Sequence, residues 1–480
     1  MELCRQPESP PGTDWRNTAS AWGNWHARCF VQPVGRHQRL RVWKENRAMP
    51  SRQSPLTVSV ILPTFNRAEF LGEALDSVLG QTHPPLEIIV VDDGSADGTA
   101  SVCAAYGPAL RYIRVGENGG KTAALNVGLE LAAGNVIWVM DDDDIVPPHA
   151  LKSLLAPLQG DPSIDFTFGS LQKFTVNGDG ERVFATVAEP RPAGARHLFA
   201  HLMEDCFITG QPCALFRRHC FDDIMPLDTS ITASVDYNVL LQVARRGHGA
   251  GIDKVVLWQR QHAGARGPEA ARYASHERVQ RWKKADSRLL AELLPDLKPR
   301  EFLENVSAAQ PLTPLQTRRA LLQKAVIAGR KDLWDVARES LVAALNAAAW
   351  APCGPRDLEI LSRFLGSRYG IDMFLGSAKI QSEIATASRR ARNGLAVQMA
   401  IASMLTFWAG QGLRRMDTAY VAKCMGALYR VAGLRGAFGL AFSAWNRRLE
   451  LRPMKRRASR SIASMPAPYL GEEHTPRGAH

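Results

Sequence analysis

The chain has 480 residues, is 45% hydrophobic and 22% charged, and carries 59 Lys and Arg against 47 Asp and Glu. Single cores stop growing at about 250–300 residues, so more than one folded part is expected, and a composition this close to the globular average excludes wholesale disorder. The formal net charge of +12 is concentrated beyond residue 300; such a surplus suits anionic lipid, an acidic acceptor, nucleic acid or plain solvent, and by itself selects none.

The opening MELCRQPESPPGT lacks the basic and then apolar regions of a secretory signal, which predicts no export by that route. Eight cysteines without CxxC or zinc-type spacing read as buried thiols in a reducing compartment, with no disulfides. Residues 1–54 read as an extension whose Trp15, Trp22, Trp25 and Trp43 cover a neighbouring surface.

From Val58 short apolar runs alternate with helix-length segments: VSVILP, a helix over 69–81, EIIVVDD, a helix, LRYIRV, a helix, then NVIWVMDDDD. Runs this short, β-branched and uninterrupted predict strands buried on both faces of a parallel sheet with right-handed crossovers. Ligands of such sheets sit beyond the carboxyl ends of the strands. Those ends carry Pro63, Thr64, Phe65, Asn66 and Arg67 after the first strand. Asp92 and Asp93, before Gly94 and Ser95, follow the second, and Asp141, Asp142, Asp143 and Asp144 follow the fourth. Beyond 147 the pattern turns mixed: a hairpin over 166–187 around NGDG, a strand-like CALF at Cys213, a helix over 234–246 and a strand KVVLWQRQH. After 300, helical periods rich in Ala, Leu and Arg carry no motif of chemistry. The apolar stretch 395–410, interrupted by Gln398, Ser403 and Thr406, is too short to span a bilayer and reads as a buried helix.

Four consecutive carboxylates repel one another unless something positive sits among them. A hard divalent cation (Mg or Mn), held by a few carboxylate oxygens and by substrate phosphates, answers that need. ENGGKTAALNVG sets two glycines and Lys121 before a helix, where free amides and the helix dipole favour an anion. Asp92 and Asp93 suit either a base or ribose, as acceptors, or the capping of the following helix.

In this order and spacing, PTFNR, VVDDGSADGT, NGGKTAALNVGLELAAG and VMDDDD resemble the family 2 inverting glycosyltransferases of GT-A fold, over residues 56–265. The resemblance implies an α/β GT-A nucleotide-sugar-binding domain, a mostly parallel sheet flanked by helices, followed by a mainly α-helical C-terminal region. It implies that Asp93 contacts the base in a pocket shaped by Pro63, Phe65 and Asn66. Asp141 and Asp143 become the acids of a DxD motif, the first reaching ribose or sugar and the second the metal, with Asp144 sharing either role. Lys121 would meet the diphosphate, because Leu125 stands where many relatives have an arginine. Thr64, Arg67, Asp92, Asn126 and Asp142 complete the expected nucleotide-sugar set, and His262 joins Asp143 and Asp144 in the metal set. SVDYNVLLQVARRG resembles the helix whose Glu-Asp pair carries the general base. Asp236 takes the base position ahead of Asp223 and Asp228, and Val235 replaces the usual Glu.

The implied reaction moves a sugar from a UDP-sugar donor to a saccharide or lipid-linked acceptor, in polysaccharide, glycolipid or glycoconjugate synthesis. A nucleotidyltransferase would want a Gly-rich basic signature where PTFNRAEF stands. A catalytically weak nucleotide-sugar-binding or scaffold protein is the alternative, suggested by Val235 and the basic tail. The expected division is an extension over 1–54, the GT-A domain over 55–265, a linker helix over 266–300, a helical domain over 301–450 and a basic tail over 451–480. The expected location is cytoplasmic, with RPMKRRASR offering peripheral contact at the inner face of the membrane; no nucleic-acid partner is expected.

Overall fold

The computed structural model describes residues 55–187, 198–262, 277–303, 306, 310–366 and 368–446, all within one compact unit spanning 49–480. The tryptophan-bearing extension, residues 263–276 at the end of the expected GT-A domain and the start of the expected linker, and the basic tail lie outside the described residues.

Strands β1 (Val58–Thr64), β2 (Glu87–Asp92), β3 (Arg111–Arg114) and β4 (Val136–Val139) run parallel in the order β3-β2-β1-β4. Every residue of β1 and β4 is buried, as uninterrupted apolar runs between two helical layers require. The sheet then changes direction. β7 (Ala214–Arg217) pairs antiparallel with β4, and β5 (Phe166–Val176) antiparallel with both β7 and β6 (Arg182–Val187). β8 (Gly249–Arg260) lies parallel along β5. The expected layering, a mostly parallel mixed sheet between helices and a helical C-terminal region, is thus what the chain adopts. The NGDG turn closes the β5–β6 hairpin: Asn177 Oδ1 accepts from the amides of Asp179 (3.1 Å) and Glu181 (2.8 Å), and Gly180 takes a φ of 82°.

α1 (Ala68–Leu79) buries Leu71, Ala74, Leu75 and Val78, the 3.6-residue stripe that a helix presents to a sheet. α2 (Thr99–Ala105) follows β2. α3 (Lys121–Leu131) comes so close to β1 that a Cβ at Gly128 would lie 2.3 Å from Ile61 Cγ2. α4 (Ala150–Gly160), α5 (Phe199–Glu204) and α6 (Val235–Arg246) complete the sheet-bearing part.

α7 (Arg278–Leu293) leads into the helical part: α8 (Pro314–Arg330), α9 (Trp334–Ala347), α10 (Pro355–Leu361), α11 (Arg368–Gly376), α12 (Ala378–Arg390), α13 (Gly394–Arg414) and α14 (Thr418–Asn446, broken at Gly433). A capping box starts α8, with the Gln316 amide 3.2 Å from Thr313 Oγ1. α13 buries Val397, Ile401, Leu405 and Trp408, and the Trp408 indole N–H donates to the Leu365 carbonyl at 2.9 Å. Among the described residues no helix is long and apolar enough to cross a membrane. The two parts are joined by buried charge: Glu204, closing α5, accepts from Arg330 Nη1 and Gln323 Nε2, each at 2.8 Å, and from Arg363 Nε at 2.9 Å.

Candidate active site

The ends of β1 and β2 are tied together before any ligand is considered. Asn66 takes a left-handed φ of 52°, so its amide reaches Ser95 Oγ at 2.9 Å and its Oδ1 accepts from the Ala96 amide at 2.8 Å. Asp92 is fully buried; one oxygen accepts from the Ser95 amide at 2.8 Å, the other from the Tyr112 hydroxyl. Pro63 and Thr64 lie within β1, buried beside Val91 and Asp92 in the β1–β2 register. Phe65 follows half-buried, and the Arg67 guanidinium lies 5.9 Å from the Phe70 ring centroid.

Asp93 turns one oxygen to the Gly119 amide (3.0 Å) and the other to the Gly120 amide (2.7 Å). The two amides that the sequence offered to an outside anion therefore hold a carboxylate of the chain itself. Burial holds the Asp93 carboxyl above its ordinary range, against the pull of those two amides.

At the end of β4, Asp141 pairs with the Lys121 ammonium. Burial and the neighbouring Asp143 push Asp142 up to about 7, against Arg67 and the Thr64 hydroxyl. Asp143 Oδ2 lies 3.0 Å from His262 Nε2. Asp144 Oδ1 accepts from the Arg260 amide at 2.9 Å, and Arg260 Nε donates to the Asp143 carbonyl at 3.1 Å. Arg260 itself is clamped between the rings of Phe70 (5.0 Å) and Phe174 (4.8 Å), with Glu73 3.1 Å from its Nη2. Nothing in the sequence reading singled out this arginine, although it sits two residues before His262 in QRQH.

Asp236 stands in the first turn of α6. Burial raises its carboxyl, Asp141 adds to the rise, and Lys121 opposes it. Burial alone would lower the Lys121 ammonium, but Asp141, Asp236 and Asp143 outweigh it and hold the group above its ordinary value. One lysine thus serves carboxylates from β4 and α6. Asp223 and Asp228 are exposed, and the Ser230 amide holds the Asp228 carboxyl low, the wrong direction for a base.

Asn126, expected on the nucleotide sugar, turns its side-chain amide to the Leu227 backbone here: Nδ2 donates to the Leu227 carbonyl at 2.9 Å and Oδ1 accepts from the Leu227 amide at 2.8 Å. With Thr122 Oγ1 donating to the Ile231 carbonyl at 2.9 Å, it pins the segment that enters α6. Asn126 lies one helical turn after Thr122, so one face of α3 does this work.

Among the described residues no three His, Cys, Asp or Glu side chains form a ready-made metal cage. Asp143 with His262 suits a cation that takes its remaining positions from phosphate and water, whereas Asp144 is turned toward Arg260. The six described cysteines are free thiols.

Residues 59–225 match the family model described as glycosyl transferase family 2. The chain is 32% identical over 130 residues to the glycosyltransferase GlyG of Streptococcus pneumoniae, covering 26% of this chain and 42% of that one. It is 41% identical over 99 residues to an uncharacterized glycosyltransferase of Rickettsia prowazekii, covering 21% and 30%. In both cases the chain spans less than half the relative's length. Among solved structures it is similar to the mannosyltransferase PcManGT of Pyrobaculum calidifontis, with a TM-score of 0.41 and 20% identity over 82% of this chain and 93% of that one. Residues 59–225, which bring together Asp93, Lys121 and the four aspartates after β4, are a glycosyl transferase family 2 domain.

Proposed function

We propose that the chain is an inverting glycosyltransferase that moves a sugar from a nucleotide-sugar donor, a UDP-sugar, onto the hydroxyl of a saccharide or lipid-linked acceptor. The observation that carries this reading is the single lysine serving Asp141 after β4 and Asp236 on α6, beside the Asp143–His262 pair. Transfer with inversion needs one displacement, hence a base for the acceptor proton and relief of charge on the departing diphosphate. Asp236 is the base: its raised carboxyl brings its proton affinity closer to neutral pH, where a general base works best. Lys121 supplies fixed positive charge for the diphosphate. Asp143 and His262 would hold the divalent cation (Mg or Mn), which when bound offsets negative charge on the leaving group. The locked loops at Asn66 and Asp93 frame the base and ribose pocket, and the full burial of Asp92 supports that frame from beneath.

We place the protein in the cytoplasm, at the inner face of the membrane, on the basic run after residue 451. A second reading, nucleotide-sugar binding without turnover, draws on Val235, 7% exposed and apolar beside Asp236.

The test is nucleotide release from UDP-glucose, UDP-galactose and UDP-N-acetylglucosamine with manganese, comparing the intact chain with Asp143→Ala and Asp236→Asn. Each variant is expected to lose about 10²–10⁴-fold in rate. Donor binding by the intact chain with no release under any acceptor would favour the second reading.

A further inference from the structure

The turn that aims α6 is held from beyond the family-matching segment. Ser234, immediately before α6, adopts φ 56° and ψ 34°, a left-handed conformation that residues with a Cβ avoid unless their surroundings impose it. Its hydroxyl donates to Asp286 Oδ1 on α7 at 2.8 Å. The other oxygen of Asp286 accepts from Lys331 Nζ at 3.1 Å, just past α8. The Lys331 ammonium also lies 4.7 Å from the ring centroid of Tyr237, and the Tyr237 hydroxyl donates to the Leu202 carbonyl at 2.8 Å. Ser234, Asp286 and Lys331 are 9%, 9% and 5% exposed. A buried carboxylate and ammonium that satisfy each other are rigid, and a hydroxyl tied to them inherits that rigidity.

We propose that Asp286 and Lys331 are positioning residues for the base: by fixing the left-handed turn at Ser234 they set the direction in which the first turn of α6 presents Asp236. The electrostatic reach of Asp286 agrees with this, since Asp286 is among the groups that raise the Asp236 carboxyl. The proposal rests on Asp236 being the base.

The experiment uses the full chain and the same nucleotide-release assay with manganese. Asp286→Asn, and the milder Ser234→Ala should Asp286→Asn not fold, are expected to lower kcat about 10–100-fold with the donor KM within about twofold, and Asp286→Glu to recover most of the loss. Hydrogen exchange followed by mass spectrometry is expected to quicken in the 231–240 peptide of these variants while β1 and β2 keep their protection. An unchanged kcat in Asp286→Asn and Ser234→Ala, with Asp236→Asn inactive, overturns the proposal and leaves the base standing. So does unchanged exchange over 231–240. Full turnover by Asp236→Asn instead removes the base itself, and the proposal with it.

Discussion

Where β4 ends, four aspartates stand side by side among Lys121, His262, Arg67 and Arg260, whereas Glu204, at the junction with the helical part, and Asp357 within that part are each closed in by arginines. Arg318, 1% exposed, places one guanidinium nitrogen 2.7 Å from Asp357 Oδ2 and another 2.7 Å from the Ala351 carbonyl. Glu204 takes Arg330, Arg363 and Gln323 at once. The crowded acids work against folding, since burial first and then the neighbouring Asp143 push Asp142 up to about 7, and such crowding is kept where a ligand relieves it. The paired acids have their charge neutralised within the chain, so their work is to hold two parts of the chain in one packing.

The sharpest way to break this contrast is to remove one arginine. Arg330→Met takes one arginine from the fully buried Glu204 and leaves Arg363 and Gln323 beside it. Breaking a buried pair costs about 3–5 kcal/mol, and the remaining arginine puts the expected loss at about 3. Urea unfolding measures it, and the double variant Glu204→Gln with Arg330→Met is expected to regain part of the loss. Asp142→Asn is expected to leave the urea midpoint unchanged or raised, because it removes a like charge. Equal losses in Arg330→Met and Asp142→Asn would erase the distinction.

The sheet part was open to sequence reading because its signals are local. VSVILP and NVIWV announce buried strands, and the residues directly after them are those at the strand ends. The direction change at β7 was not, since a four-residue strand carries no mark of its polarity. Nor were the uses of Asp93 and Asn126, whose partners lie 26 and 101 residues away. The helical part carries local periodicity but distant chemistry: Arg330 is 126 residues from Glu204, and Asp286 is 52 from Ser234. One signal was available there. Arg318 falls on the same stripe as Leu322 and Ala325, both buried, so helical spacing alone places a charge in the core and calls for an acid to meet it.

A second pairing lies within the sheet part, away from the aspartate cluster, and sharpens the contrast through pH. Asp165 accepts from the His248 amide at 2.8 Å and stands 2.9 Å from His219 Nε2. Burial pushes its carboxyl up, but the His219 contact and the His248 amide outweigh that and hold it below its ordinary value. A depressed folded-state value means the carboxylate adds stability above the unfolded pKa of about 3.9, and that the contribution is lost as pH falls through the folded value. Asp165→Asn is therefore expected to cost about 1–3 kcal/mol at pH 7 and progressively less below about pH 4, read as the gap between the two urea curves. A gap that widens toward low pH would mean that Asp165 is not held as a carboxylate.

The smallest effect is expected at Asn126, where the two kinds of role meet in one residue. Its motif neighbours point to the nucleotide sugar, yet both of its amide atoms are spent on the Leu227 backbone. Asn126→Ala leaves that backbone amide and carbonyl without their partner, at about 1–2 kcal/mol of stability. Calorimetric binding of UDP is expected to stay within about twofold of the intact chain, since both side-chain amide atoms are engaged by Leu227 and a tenfold change would need about 1.4 kcal/mol. A tenfold weaker UDP affinity with unchanged stability would return Asn126 to the nucleotide site. The expected outcome instead makes α3 a two-sided element: Lys121 at its start pairs with Asp141, and Thr122 and Asn126 on the adjoining face hold the approach to α6.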